Sequence, residues 1–184
     1  MEAWQALSEH ERQTVWDRFY EAFSFYPSVH ANHWPGIVEP QPSITYGITH
    51  YYYPGEGHQP PELQETARAI EQDLYSKTLR AFQRCLAPGQ PLYALEWQST
   101  GYWFHPHIPF IPGTPYNPDP DAWFVPVLPN GDYYIFLAED FTFGIFGHPW
   151  EQTICIFGQR LIDAFILNQP LLFTRIIRVN AVGG

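Results

Sequence analysis

The sequence predicts an α+β fold, an antiparallel β-sheet meander with two to three helices packed on one face. Three observations carry this. The run Asn130–Gly158 holds three strand-like segments between close reversals at Asn130-Gly131, Glu139-Asp140 and Gly147-His148-Pro149. Two other segments space their apolar residues at helical intervals. Finally, 184 residues with 45% hydrophobic and 18% aromatic content suit a single globular domain, residues 1–184, with a core large enough to need no staples.

The first helix begins at Ser8. Ser8-Glu9-His10-Glu11 is a capping box, in which the hydroxyl accepts a free amide and Glu11 reaches back. Val15, Trp16, Phe19, Tyr20 and Phe23 then form an aromatic stripe, and Pro27 marks the end. A strand is expected around Ser43–Tyr53, where Ile44, Tyr46 and Ile48 alternate with smaller residues. The longest helix runs from about Pro61 to Leu86. Pro61 suits a first helical turn, Glu62 and Glu65 favour the positive end of the dipole, and Arg80 and Arg84 the negative end. Its stripe is Leu63, Ala67, Ile70, Leu74, Ala81, Phe82 and Cys85, and Pro88-Gly89 stops it.

A hairpin follows, with Tyr93–Gln98 turning at Ser99-Thr100-Gly101 into Tyr102–His107. Prolines 106, 109, 112, 115 and 118 then recur every third residue, the polyproline II period, so this stretch is read as extended and crossing the protein's own aromatic surface beside Trp103, Phe110, Tyr116 and Trp123. Further strands are expected near Trp123–Leu128, Tyr133–Ala138, Phe141–Phe146, Thr153–Phe157 and Leu172–Val179. A short helix is expected over Gln159–Leu167.

A net charge of -10, with Lys77 the one lysine, disfavours phosphate backbones and anionic lipid and attracts basic partners. Neither nucleic acid nor membrane is an expected partner. No apolar run reaches spanning length and the N-terminus lacks the pattern of a signal peptide, so the cytoplasm is the expected location. Cys85 and Cys155 read as buried small hydrophobes.

Nucleophile and phosphate motifs are missing: there is no Gly-x-Ser-x-Gly and no glycine-rich loop, and neither cysteine has a neighbouring His or Lys. Two His-bearing patterns stand out. His105-Pro106-His107 would place two imidazoles on one side of a strand, and His148 with Glu151 would complete a metal site if the sheet brought them together. No carboxylate follows the pair before Asp119, so structural or solvent-facing histidines are the expectation. His148-Pro149-Trp150-Glu151 has the composition of an acid/base pair, but also of a rigid turn in which Trp150 buries its ring and Glu151 bonds local amides. The turn is favoured.

The block Asp132-Tyr-Tyr-Ile-Phe-Leu-Ala-Glu-Asp-Phe, followed by Phe146-Gly-His-Pro-Trp-Glu-Gln-Thr-Ile-Cys-Ile-Phe-Gly, resembles the C-terminal signature of an uncharacterised bacterial family, a domain of unknown function. Trp4, Val15-Trp16, Phe19, Phe23-Ser-Phe-Tyr-Pro and Glu39-Pro-Gln-Pro-Ser are similar to its opening pattern. The resemblance implies bacterial origin and a self-contained domain, and no catalytic residues.

The sequence therefore leaves function unassigned and leans away from catalysis. The favoured expectation is a non-catalytic acidic binding protein, without cofactor, that neutralises a basic protein partner as an immunity protein does. Its contact face would draw on Glu96, Trp97, Glu139, Asp140, His148, Trp150 and Glu151. The alternative is a small-ligand or metal-dependent enzyme using His105, His107, His148 and Glu151 in a pocket on the sheet.

Overall fold

The capping box forms as the sequence requires: the Glu11 amide donates to Ser8 Oγ at 3.3 Å and the Ser8 amide donates to Glu11 Oε2 at 2.8 Å. It starts helix α1, Glu9–Phe23, which ends where Ser24 turns left-handed at φ 49°. The computed structural model describes residues 2–49, 61–110 and 123–181. Two further helices are α2, Pro61–Cys85, and α3, Gln159–Leu167. The strands are β1 Trp4–Ala6, β2 Ser43–Gly47, β3 Leu92–Glu96, β4 Gly101–Phe104, β5 Tyr134–Ala138, β6 Gly144–His148, β7 Thr153–Phe157 and β8 Arg175–Asn180. They make one eight-stranded sheet in the order β1-β4-β3-β5-β6-β7-β2-β8. Every neighbouring pair is antiparallel.

The α+β class and the antiparallel sheet are as the sequence predicts. The placement of all helices on one face is not. Side chains alternate across a strand, so each strand feeds two cores. Leu92, Ala94, Phe136, Ile145, Ile154 and Ile156 pack with Leu74 and Phe82 of α2 and Leu161 and Phe165 of α3. Tyr93, Leu95, Ile135, Leu137, Phe146, Cys155 and Phe157 pack with Val15, Trp16, Phe19 and Phe23 of α1. Helix α1 thus covers one face, and α2 with α3 covers the other. Central strands β5, β6 and β7 are consequently buried at every position. Apart from His148 and Thr153 at the reversal their sequences are apolar, as a sheet covered on both faces demands.

Several boundaries move for local reasons. The sequence misses β1, a strand too short to show a period; it exists because β4 accepts it, with Trp4 opposite Phe104. Segment 123–128 is not a strand. Pro126 and Pro129 lack the amide that a ladder needs, so the segment runs irregularly, yet Trp123, Val125 and Val127 still fill the α2-side core. Strand β6 starts at Gly144, later than expected, because Phe141 is left-handed at φ 63° and the residues around it are used in the turn. A Cβ on Gly144 would lie 2.4 Å from the Phe136 carbonyl oxygen, so only glycine fits there. Strand β4 ends at Phe104, which leaves His105 and His107 outside it. Of the proline ladder only Pro106 and Pro109 lie within the described residues, as does none of the expected strand beyond Thr49. Phe110 does meet the aromatic surface, 5.9 Å from Trp4 and 6.1 Å from Trp123.

A sheet with two cores makes a direct prediction. Phe19 and Phe82 are both fully buried, on opposite faces. Phe19→Ala and Phe82→Ala should each lower unfolding stability by about 3–5 kcal/mol in urea titrations. A near-neutral Phe19→Ala would mean that the α1 face is not a core.

Candidate functional site

The polar residues of the β6–β7 reversal converge on the α1 side of the sheet. Strand β6 ends at His148, which is 0% exposed. Its ring lies 4.8 Å from Tyr133, 5.6 Å from Trp34, and 6.2 Å from both Phe146 and Trp150. The Glu151 amide donates to His148 Nδ1 at 3.0 Å. That nitrogen therefore carries no proton, and the neutral ring bears its hydrogen on Nε2, 3.4 Å from the Tyr133 hydroxyl. Tyr133 completes the chain: its oxygen accepts the Ser28 amide at 2.9 Å, and its proton goes to the Ser28 carbonyl at 3.3 Å. Gly36, at φ 75°, lets the loop close over this group, since a Cβ there would sit 3.0 Å from the Tyr26 carbonyl oxygen and 3.7 Å from His148 Nε2.

Burial pushes the His148 imidazole down to about 4, with the Arg178 charge adding to this and Glu151 opposing it. A ring that is neutral, enclosed and bonded at both nitrogens is a poor general base at neutral pH. It holds the reversal in shape.

Glu151 faces a second partner. Arg178 of β8 donates to it in a fork, Nη1 to Oε1 at 2.6 Å and Nη2 to Oε2 at 2.8 Å. The Thr153 hydroxyl donates to Oε2 at 2.8 Å. Arg178 Nε also donates to Glu39 Oε1 at 2.9 Å, and Glu39 accepts from Thr45 Oγ1 at 2.7 Å and Asn180 Nδ2 at 2.8 Å. Burial alone would raise the Glu151 carboxyl, but the Arg178 and Thr153 bonds hold it below its ordinary value. The same carboxylates raise the Arg178 guanidinium although burial opposes its charge. One guanidinium is thus shared by two carboxylates, whose remaining acceptors are met by Thr153, Thr45 and Asn180. The expected turn role of Glu151 thus takes a different form, an ion pair to a strand 27 residues away.

The other candidate surface residues divide between two ends of the sheet. At the β6–β7 end, Trp150 is 37% exposed and its ring lies 5.2 Å from Tyr133. The Trp97 ring also lies against Tyr133, at 5.8 Å, and its indole N–H donates to the Tyr20 hydroxyl at 3.1 Å. Glu96 stands beside it, its carboxyl pushed up by burial. Asp132, which sequence reasoning did not select, accepts the Gln98 amide at 3.1 Å. Glu139 and Asp140 occupy the β5–β6 reversal at the opposite end, one five-residue strand away, roughly 17 Å. Asp140 Oδ1 accepts the Thr142 amide and hydroxyl, and that hydroxyl holds its carboxyl low. Arg18 donates to the Glu139 carbonyl and lies over the Phe141 ring at 4.3 Å. These two acids shape their own turn and cannot share a compact face with Trp97 and Trp150.

The four metal candidates also stay apart. His107 Nε2 is 2.8 Å from the Leu86 carbonyl oxygen at the end of α2, on the sheet face opposite His148. His105 follows β4 in a turn, with its amide on the Ala3 carbonyl at 2.7 Å. Among the described residues no group of three or more His, Cys, Asp or Glu is placed to hold a metal ion. His107 does line a cavity of about 920 Å³ between α2 and residues 106–110, with Tyr75, Gln83 and Trp123 among its walls. Both cysteines are free and buried, on opposite faces; burial pushes Cys85 up to about 11 and Cys155 up to about 12.

Glu39, Asp132, Tyr133 and Arg178 are the residues that sequence reasoning missed. One signal was present: Arg178 interrupts the apolar run Ile176-Ile177-Arg178-Val179, and a charge in such a strand asks for a partner.

The fold and the hydrogen-bonded polar clusters define a sheet protein whose ionisable groups at this site are engaged in holding the structure. The chain belongs to the family described as protein of unknown function (DUF2716), whose model matches residues 6–162. It is 32% identical over 170 residues to the uncharacterized protein YxiI of Bacillus subtilis (strain 168), covering 92% of this chain and 96% of that one. The family likeness that the residues suggest is thereby shown, together with a bacterial relative. No solved structure matches. Among the described residues no helix is long and apolar enough to cross a membrane.

The state of His148 is testable through pH. Its folded pKa of about 4 lies below the ordinary 6.5, so between those values the unfolded chain binds more protons and stability falls as the solution is acidified. Loss should approach about 3 kcal/mol across the window. Glu151, held below its ordinary 4.5, adds loss only at lower pH. His148→Asn, whose amide oxygen can still accept the Glu151 N–H, should flatten the slope between pH 6.5 and 4.5 in urea titrations. An unchanged slope would show an imidazole that protonates freely in the folded protein.

Proposed function

We propose that this chain is a non-catalytic binding protein that captures a basic protein partner in the cytoplasm, in the manner of an immunity protein. The observation that carries the reading is the bonding state of His148 and Glu151. Both ring nitrogens and both carboxylate oxygens are engaged in holding the fold. What remains at that end of the sheet is aromatic and acidic: exposed Trp150 and half-buried Trp97 both lie against Tyr133, with the half-buried carboxyl of Glu96 beside Trp97 and Asp132 holding the Gln98 and Tyr133 amides. Aromatic anchors rimmed by acids suit a cationic surface, and a net charge of -10 speeds its approach. Two buried free thiols are compatible with a reducing compartment.

A second reading, a small-ligand binder or enzyme, is favoured by one feature, the cavity beside α2 that His107 lines. Its polar groups are partly engaged already, since the Val127 amide donates to the Tyr75 hydroxyl at 3.2 Å and Gln83 donates to the Pro106 carbonyl at 2.8 Å.

Affinity capture from the source bacterium, with mass spectrometry, separates the two readings. A basic protein should be retained at low salt and released as salt rises. Trp97→Ala combined with Trp150→Ala should weaken its capture at least tenfold, on the order of 1.4 kcal/mol or more. Asp140→Asn, at the opposite end of the sheet, should leave capture unchanged. Capture indifferent to the tryptophan pair would remove this surface from consideration.

A further inference from the structure

One edge of the sheet is unlike the rest of the surface. Among the described residues, six of the twelve exposed large apolar side chains fall between Ile166 and Val179, at 38–72% exposure. Strand β8 is the last in the sheet order, bonded to β2 alone, so its outer backbone groups face no described strand. The register against β2 explains the apolar strip. Thr45 pairs with Arg178 and Tyr46 with Ile176, leaving Ile177 as an extra residue at a bulge. The bulge brings Ile176 and Val179, three residues apart, onto the same face as α3. Ile166 and Leu167 at the end of α3, and Leu171 just after it, add to that side. No carboxylate occurs from Ala164 to Gly184, in a chain that is otherwise strongly acidic.

We propose that this edge docks a second copy of the chain, β8 pairing antiparallel with β8 of its partner about a two-fold axis to extend the sheet across both subunits. An isologous contact needs one surface that complements itself. An antiparallel strand pair supplies it: apolar strip meets apolar strip, and each Arg175 lies toward the other subunit's Asn180 end, a full strand length from its own counterpart. Ile177 lies on the other face, against Gly47; the remaining five side chains expose on the order of 500 Å² per copy, hence ~1,000 Å² in a symmetric pair, at the lower bound of specific interfaces. Charge argues against a basic occupant here: β8 carries Arg175 and Arg178, Arg178 already holds Glu39 and Glu151, and Asp73 beside Leu171 is paired with Lys77. This contact is separate from the tryptophan end, and the two can fail independently.

The test is mass in solution. Sedimentation velocity and light scattering across micromolar to millimolar concentration should show a species of twice the 21.4 kDa chain mass. Ile176→Lys combined with Val179→Lys should return the protein to the chain mass, with circular dichroism unchanged because both side chains are exposed in the subunit. Trp150→Ala, at a different site, should leave the dimer intact. A chain that stays at 21.4 kDa throughout overturns the proposal. So does a dimer that survives the double lysine variant. An extended peptide found bound to β8 of a monomeric chain would equally overturn it.

Discussion

The ion cluster of Arg178 with Glu39 and Glu151 is the constraint on which the outer half of the sheet depends. It joins three separate parts of the chain: the segment before β2, the β6–β7 reversal and the edge strand β8. Each has a reason to drift. Strand β8 has one neighbour, the reversal is tight, and the segment before β2 is irregular. A half-buried guanidinium gripped by two carboxylates fixes all three, because moving any one strands a charge away from water. Such a cluster adds less to stability than its contacts suggest, since desolvation offsets much of the attraction. Its larger effect is on which arrangement the chain can adopt. It selects the register of β8, and with it which face Ile176 and Val179 present.

From that clamp the neighbouring chemistry follows. Fixing Glu151 fixes its backbone amide, which donates to His148 and sets the tautomer of the ring. The tautomer directs Nε2–H toward Tyr133, whose hydroxyl closes on both backbone groups of Ser28. A line of hydrogen bonds thus runs from the edge strand to the loop that covers the α1 face. Each polar group in it has a partner inside the fold, and Trp150 stays exposed beside it.

Much of this architecture was legible before the structure. Ser8 with Glu11 announces α1, and the stretches Thr153–Phe157 and Gln159–Leu167 become β7 and α3 with no change of boundary. Local chemistry decides those elements. The errors fall where distant contacts decide. An aromatic stripe on α1 says that the helix packs and is silent on which face of the sheet receives it. The unbroken apolar runs Tyr134–Ala138 and Thr153–Phe157 held that answer, because a sheet bare on one side would alternate. At 123–128 the hydrophobicity suggests a strand, whereas Pro126 and Pro129 forbid a ladder and the segment is irregular and largely buried. The Glu39–Arg178 pair spans 139 residues, and no local pattern reaches so far. For the same reason the candidate acids are alike in the sequence, although Glu151 is spent on an arginine, Asp140 on its own turn, and Glu96 stands half-buried next to Trp97.

The central claim is that the carboxylate at the β6–β7 reversal serves the fold and no reaction. A double-mutant cycle on Glu151→Gln and Arg178→Met, read by urea unfolding, tests it most directly. The account predicts that each single change destabilises the protein, with a coupling of about 1–3 kcal/mol between them. A working residue would leave the opposite signature: stability unchanged or raised by Glu151→Gln, with no coupling to Arg178. That result would contradict the account.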